Sequence, residues 1–585
     1  MLGSRSGNFF LRAAYHPVMP NFVRVLAVPV AVAAIASCGR APVRPGPAPA
    51  FVPENGVREL TADQQAAQAV NRLTFGPRPG EVERVLAMGT DRWIERQLEP
   101  DKIPDPTLDG LLTELPVWHM QVKTLVDSFP PQDIFIRDLR SARGIAANQQ
   151  FALSPEDSAT LKTFNTRANQ YYNEFQAAKV LRAQMSEREL VEVLTDFWEN
   201  HFSVYAGKMP TRFTLLEYDR DVIRPHVLGK FRDHLGAVAR SPAMLYYLDN
   251  FQSVADSNHM TLPELRQFER TGRRPVNHRR NGLNENYGRE LLELHTLGVD
   301  GGYTQKDVIA VARALTGWSI DKPREGGGFI FREGQHDAEP KVVLGHTLPP
   351  GRGEEDGEEV LDIVARHPAT AHHIAFELAR RFVSDTPSVA LVNRVAETYR
   401  RTDGDIREML RTIFTSPEFF SRVAFRAKVK SPFELVVSAR RIMNASPDTS
   451  ASTAYQIQRL GEQLFGHLAP NGWPETGDQW INAGSLLDRI NFGVQAGAGR
   501  MRFAAAEQWP GYALLVSMTL AQQVDGIVDQ ILGGNASPET RDIMFKGQNP
   551  LIAKADDASM SRPVARPSLK DLLGIALGSP EFQRR

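Results

Sequence analysis

Three observations predict a predominantly α-helical protein, a large multi-helix domain carrying a small β-hairpin insertion. Apolar residues recur at helical spacing through most of the chain, most clearly from Glu187 to Phe202, where Leu190, Val193, Leu194, Phe197, Trp198 and His201 share one broad face. Start signals precede such stretches, with Thr61 and Thr304 placed as N-caps. Strand-like pieces are few. Phe329-Ile330-Phe331 and Lys341-Val342-Val343-Leu344 follow a triple glycine at Gly326-Gly327-Gly328 and are expected to pair as one small hairpin.

The chain has 585 residues, enough for a sizeable core and more than one lobe. Lys plus Arg number 68 and Asp plus Glu 69, so the basic surplus of a nucleic-acid binder is missing. A single cysteine, Cys38, excludes an intrachain disulfide framework and any multi-cysteine metal site.

The position of Cys38 matters more than its number. Val25 to Ala36 is an apolar run too short to span a bilayer with ease, and Ile35-Ala36-Ser37-Cys38 closes it. This resembles the lipobox of bacterial lipoproteins, in which the cysteine becomes the lipidated N-terminus. Residues 1–37 are therefore expected to be a lipoprotein-type signal peptide, with Met19 as an alternative start. Residues 38–58, rich in Pro and Ala, then form a tether that places the domain outside the cytoplasm, in the periplasm or on the outer face of a bacterial membrane.

The main helical domain is expected over 59–445. Helices begin near Leu60 and break at Phe75-Gly76-Pro77. Another runs from Glu81 to Leu98 with an interruption near Gly89, and a long one from Ser158 to Met185. After Phe213 to Val227 and Phe231 to Leu248, residues 250–281 read as a polar loop. Beyond the hairpin, helices are expected from Glu358 to Ala445 in several pieces, with a helical C-terminal lobe over 446–585 and a mobile segment near 533–566. One device occurs twice: a helix led by Asp405 or Ser568 runs into Ser416-Pro417-Glu418-Phe419 or Ser579-Pro580-Glu581-Phe582. Two copies so far apart do not make a solenoid.

Together these pieces resemble the bacterial family catalogued as domain of unknown function 1800. The resemblance is carried by Arg72-Leu73-Thr74-Phe75-Gly76-Pro77, Phe197-Trp198-Glu199-Asn200-His201-Phe202, Asn284 to Gly298 and Ala314-Leu315-Thr316-Gly317-Trp318. His336-Asp337 with Lys341, His367 to Ala371 and Ser416-Pro417-Glu418-Phe419 complete it, over roughly residues 60 to 500. It implies a helical, exported protein, supplies no catalytic residues, and points to a sulfatase-like protein as a partner.

The densest chemistry lies between Asn284 and Gly298. On a helix turning about 100° per residue, Glu285, Arg289, Glu293, Asn286 and Glu290 share one face, within about 140°. Tyr287, Leu291 and Leu294 form the core face, and His295 falls at about 280°, away from the carboxylates. The plain alternative is a charged ladder of Glu285, Arg289 and Glu293 at i, i+4 spacing. The functional alternative is a carboxylate site for acid–base work or a hard metal, which must recruit an imidazole from elsewhere. The candidates are Glu285, Arg289, Glu290, Glu293, His336 and Asp337 for catalysis, and Glu290, Glu293, His201 and His336 for a metal. His201 lies on an apolar face and reads first as a core histidine. His336-Asp337 is expected in the hairpin loop, where sites concentrate. Trp473 and Trp480 either plug a core edge or stack on a ligand.

No Gly-x-Ser-x-Gly elbow, phosphate loop, His-Glu-x-x-His or haem-attachment motif is present. No cofactor is named by the sequence. Two functions follow: an exported envelope protein that binds or scaffolds a partner, or an extracytoplasmic enzyme, for example a metal-assisted hydrolase, using the 284–297 helix.

Overall fold

The fold starts at a helix, Ala62–Leu73, whose first turn is closed by a capping box: Gln64 N–H faces Thr61 Oγ1, and the Gln64 side chain accepts from Thr61 N. In the computed structural model this is the first of a long series of helices. The described residues are 57–146, 148–274, 282–501, 505–547 and 566–585. Cys38, the apolar run before it and the Pro/Ala tether as far as residue 56 lie outside them, as do residues 548–565 of the segment expected to be mobile.

Most helical expectations hold in place and length. Glu81–Met88 and Thr90–Leu98 are separated at Gly89, whose positive φ of 92 no β-carbon-bearing residue readily adopts. The long helix is Pro155–Met185, capped by Ser154, and Glu189–His201 follows it after a short turn. Four expectations are corrected, three of them on helices. The 250–281 loop contains a helix, Leu262–Thr271, started by a Thr261–Glu264 capping box. Its apolar stripe is short, because only Leu262 and Leu265 are buried, against Met260 and Ala338. The helix opened by Asn284 ends at Glu293 rather than Leu297. The helix begun at Thr304 ends at Ala314, four residues before Trp318 enters a strand.

A fourth correction concerns the strands. Phe329–Phe331 pairs antiparallel with Trp318–Ile320, and Lys341–Val343 pairs with His346–Leu348. The two predicted strands are real but each has a nearer partner. Leu344 and Gly345, with φ of 49 and 84, make a two-residue reversal that folds the second strand onto its own continuation. His336-Asp337 therefore lies between two separate ribbons and is sealed in the interior.

Apolar side chains from Leu60 to Phe582 join one contiguous core. The Ala483–Gly497 and Leu569–Gly578 helices touch backbone to backbone, since a β-carbon at Gly493 would collide with Gly578 N and one at Gly497 with Gly574 N. A helix, Pro538–Lys546, occupies part of the region expected to be mobile, with Met544 fully buried. The repeated Ser-Pro-Glu-Phe device is one structure used twice. Phe419 N donates to Ser416 Oγ at 3.2 Å, and Phe582 N to Ser579 Oγ at 3.3 Å.

Candidate functional site

The Glu285–Glu293 helix is capped by Asn284, whose Oδ1 accepts from Asn286 N at 2.9 Å. Tyr287, Gly288, Leu291 and Leu292 are buried against the Gln305–Ala314 helix, and a β-carbon at Gly288 would meet Val308 O at 2.9 Å. The polar face does not form the expected ladder along the helix. Gln305 joins Glu285 to Arg289 instead, donating from Nε2 to Glu285 at 2.6 Å and accepting from Arg289 at 2.7 Å. Tyr303 donates to Glu293 at 2.9 Å. Burial, and then the neighbouring Glu293, raise the Glu290 pKa. This face is partly open and held by neutral partners.

His295 is buried as projected, in contact with Tyr287, Phe202 and His201, and neither ring nitrogen has a hydrogen-bond partner. Burial pushes its pKa down to about 3. His201 packs among Phe197, Trp198 and Phe202, and its Nε2 donates to the His295 carbonyl at 3.2 Å.

His336 and Asp337 belong to a different assembly. Arg313 grips Asp337 with two hydrogen bonds of 2.6 and 3.1 Å. His336 donates from Nδ1 to Thr316 O at 2.8 Å, while its Nε2 faces Asp356 Oδ2 at 3.5 Å. Lys341 Nζ reaches Asp356 at 2.8 Å, and Arg352 reaches the same carboxylate at 3.2 Å. Burial works against the Asp356 charge, but His336 and Lys341 outweigh it and hold the pKa below the usual value. Both carboxylates are thus matched by cations, which is how a buried charge is made tolerable. Among the described residues no hydrogen bond or ion pair joins this knot to Glu285, Glu290 or Glu293. Nor do the described residues contain a group of three or more His, Cys, Asp or Glu side chains placed to hold a metal.

A third cluster is built around residues outside the candidate set that the sequence names. Lys179 sits on the buried face of the long helix, between the Phe433 and Phe465 rings at 5.4 and 5.1 Å. It pairs with Asp196 at 3.0 Å and, more closely, with Glu199. Asp196 continues to Arg381 at 3.3 Å, Arg381 to Glu434 at 3.1 Å and to Glu475 at 3.4 Å, and Glu434 to Arg585 at 2.9 Å. Behind Glu199 stands Asp219, fully buried on the π-helical turn Tyr218–Ile223 and paired with Arg224.

The ion-pair chain from Lys179 and Glu199 through Arg381 to Glu475 and Arg585 lines a cavity with Asn200, Glu462, His467, Trp473 and Trp480, while Asp219 stands outside it. It offers about 50 Å³ to the centres of water molecules. At ~10–15 Å³ each, that is room for a few waters or one small polar group. The rim is held by Asn200, which donates to Trp473 O at 2.7 Å and accepts from Trp473 N at 2.6 Å. Trp473 packs on His467 at 4.8 Å and on Trp480 at 5.9 Å, and both indole N–H groups are bound to carbonyls.

Charge counting explains the electrostatics. Five carboxyls line the cavity (Asp196, Glu199, Glu434, Glu462 and Glu475) against three cations (Lys179, Arg381 and Arg585). Two carboxyls are pushed toward the neutral form. Burial raises Glu462 to about 8, helped by Asp196, and no cation lies within ion-pair reach of it among the described residues. Burial likewise raises Glu199 well above the carboxylate range; Lys179 opposes this and Asp219 reinforces it. A proton on Glu199 serves its oxygen Oε1, which otherwise has no partner beside the Asp219 carboxylate. Glu434 goes the other way: burial opposes its charge, but Arg585 and Arg381 outweigh it and lower its pKa.

One sequence signal could have located this site. Lys179 interrupts the apolar run Ala177-Ala178-Lys179-Val180-Leu181, and a lone charge on a buried helix face requires a buried partner. Glu199 stands in the same relation to Phe197, Trp198 and Phe202. Lys179 and Glu199 find each other across two helices, 20 residues apart in sequence, and the rest of the cluster (Arg381, Glu434, Glu462 and Arg585) lies hundreds of residues further on, beyond the reach of helical projection.

The sequence model of one family, described as protein of unknown function (DUF1800), matches residues 68–584. The match extends past residue 500, where the sequence resemblance stopped, and takes in Ser579-Pro580-Glu581-Phe582. Neither the curated proteins nor the solved structures gave a match. The chain belongs to the DUF1800 family.

Proposed function

We propose that this protein is an exported, membrane-tethered enzyme of the cell envelope, and that its active site is the charged cavity rather than the 285–293 helix. The observation that carries the proposal is the opposed ionisation of carboxyls facing one small space: Glu462 and Glu199 kept protonated by burial, Glu434 kept ionised by Arg381 and Arg585. Groups driven apart in this way are poised as acid and base at neutral pH. The reaction class that fits is hydrolysis of a small polar group. Glu462 donates a proton to the leaving group, a water held in the cavity attacks, and an ionised carboxylate accepts the water proton. Trp473 and His467 at the rim flank the remainder of the substrate.

The metal-assisted version fits less well, because the ionised carboxylates here already face Lys179, Arg381 and Arg585. The reading calls on no second protein. Export and tethering rest on the apolar run ending at Ser37-Cys38.

The test is hydrolysis of chromogenic esters, phosphates, sulfates and glycosides by the purified protein. An activity lost in Glu462→Gln at unchanged melting temperature supports the proposal. No turnover of any class, or turnover indifferent to Glu462→Gln, overturns it.

A further inference from the structure

A second site lies on a different face of the same segment. Val429 borders the charged cavity, while Lys430 lines a larger cleft offering about 530 Å³ to water centres. The cleft is walled by Pro77, Phe425, Ile531, Trp509 and Phe582, with Arg426 at one side. Lys430 is almost entirely buried, at 3% exposure, with its ammonium nitrogen 4.0 Å from the centre of the Phe582 ring. That nitrogen donates to the Ser438 hydroxyl at 3.0 Å, which itself donates to Leu435 O. Among the described residues no carboxylate lies within ion-pair distance of Lys430, whereas Lys179 has two and Lys428 has one.

A buried lysine without a counter-ion, beside other cations, is the arrangement that makes an amine nucleophilic at neutral pH. Burial, then Arg426, and further Arg585 and Arg489, push the Lys430 pKa down to about 7, opposed only by Glu434. Lysines that perform no chemistry gain nothing from such a position, because burying an unpaired ammonium costs stability.

We propose that Lys430 is a reactive amine that forms a reversible imine with a small carbonyl compound, an aldehyde or a ketone, admitted by this cleft. The neutral nitrogen attacks the carbonyl carbon and a C–N bond forms. The carbonyl π electrons move to oxygen, which takes the proton released by nitrogen. Loss of that hydroxyl with a second proton, as water, leaves the C=N bond. The Ser438 hydroxyl is placed to relay these protons. No oxidant or reductant enters the step, and the site is separate from the acid–base cavity.

The experiment uses the full chain with propanal and sodium cyanoborohydride at pH 7, which reduces any imine to a stable secondary amine, followed by peptide mass spectrometry. An amine of pKa near 7 is about half neutral at that pH, against roughly one part in three thousand for an ordinary lysine. Lys430 should therefore be modified at least ten times faster than Lys102 and Lys123, whose side chains are 73% and 67% exposed. Its rate should rise with an ionisation near neutral pH and persist in Glu462→Gln. Modification of Lys102 and Lys123 with Lys430 untouched, or of Lys430 only in denaturant, overturns the proposal.

Discussion

Asn200 and Trp473 hold each other through two reciprocal hydrogen bonds, side-chain amide to backbone, of 2.7 and 2.6 Å. The pair fastens the end of the Glu189–His201 helix to the segment that carries the aromatic rim of the cavity. Asn200→Ala removes both bonds and leaves the Trp473 N–H and carbonyl without these partners. Each buried group left unpaired costs about 1–3 kcal/mol, so a loss of roughly 2–4 kcal/mol is expected in urea denaturation. A change below about 0.5 kcal/mol would show that the rim is held by other contacts.

The ion network makes a second prediction through non-additivity. Lys179→Met takes from Asp196 and Glu199 the cation they share, and removing one partner of a buried ion pair costs about 3–5 kcal/mol. Adding Glu199→Gln removes one stranded carboxyl and should recover part of the loss, a coupling that a double-mutant cycle reads directly. Strictly additive losses would mean the two side chains do not act together.

Alkaline stability should report on Glu462. Its folded pKa, about 8, lies above the unfolded value near 4.5, so the folded state holds the proton more tightly. That contribution is complete below the unfolded pKa and disappears as pH rises through about 8. Glu462→Gln should be steadier than the parent between about pH 5 and 8, with the gap widening by up to ~1.4 kcal/mol per pH unit. Parallel stability curves across that range would refute the assignment.

Acid stability should follow the buried histidines, with the opposite sign. His295, and the half-buried His373 on the Pro368–Phe382 helix, have folded pKa values of about 3 and about 4, depressed by desolvation below the unfolded value near 6.5. The unfolded chain binds these protons first, so stability is full above about pH 6.5 and falls as pH drops below it. His295→Leu should lose less than the parent on going from pH 6.5 to 4.5, measured by thermal melting at each pH. An unchanged pH slope would show that His295 does not drive acid lability.

Gly493 offers a test of the helix pair at the C-terminal side. A β-carbon there meets the backbone of Gly578, which cannot rotate aside as a side chain could. Gly493→Ala should cost about 1–3 kcal/mol, as overpacking does. Gly334→Ala, with open space around it, should cost far less in the same denaturation assay.

Much of the architecture was legible because it is written in local periodicity. The capping residues Thr61 and Thr304, the break at Gly89 and the burial of His295 all follow from spacing along one helix. The strand partners were not legible, because Phe329–Phe331 is equally compatible with either neighbour until the turn at Leu344-Gly345 is known. The charged cavity was the least legible. Taken alone, Glu199 is a polar residue near a helix end and Trp473 suits a core edge as well as a ligand. What turns them into a site is their meeting with Lys179, Arg381 and Glu462, which no local pattern encodes. The carboxylate-rich helix drew attention for the opposite reason: its charges are close in sequence, and in space they are satisfied by Gln305 and Tyr303.

The bond between Glu434 and Arg585 also bears on the order in which the protein acquires its shape. Lys179 and Arg585 are hundreds of residues apart in sequence yet serve one chain of ion pairs, and contacts of such long range carry a high loop-closure cost in folding. A polypeptide emerging from a channel therefore has no cavity until the Leu569–Gly578 helix has docked on Ala483–Gly497. Until then Glu434 lacks one of its two cations, and the pair of opposed carboxyls does not exist. Molecules in which that helix has not docked therefore lack the second cation of Glu434 and the balance of charge that the cavity depends on.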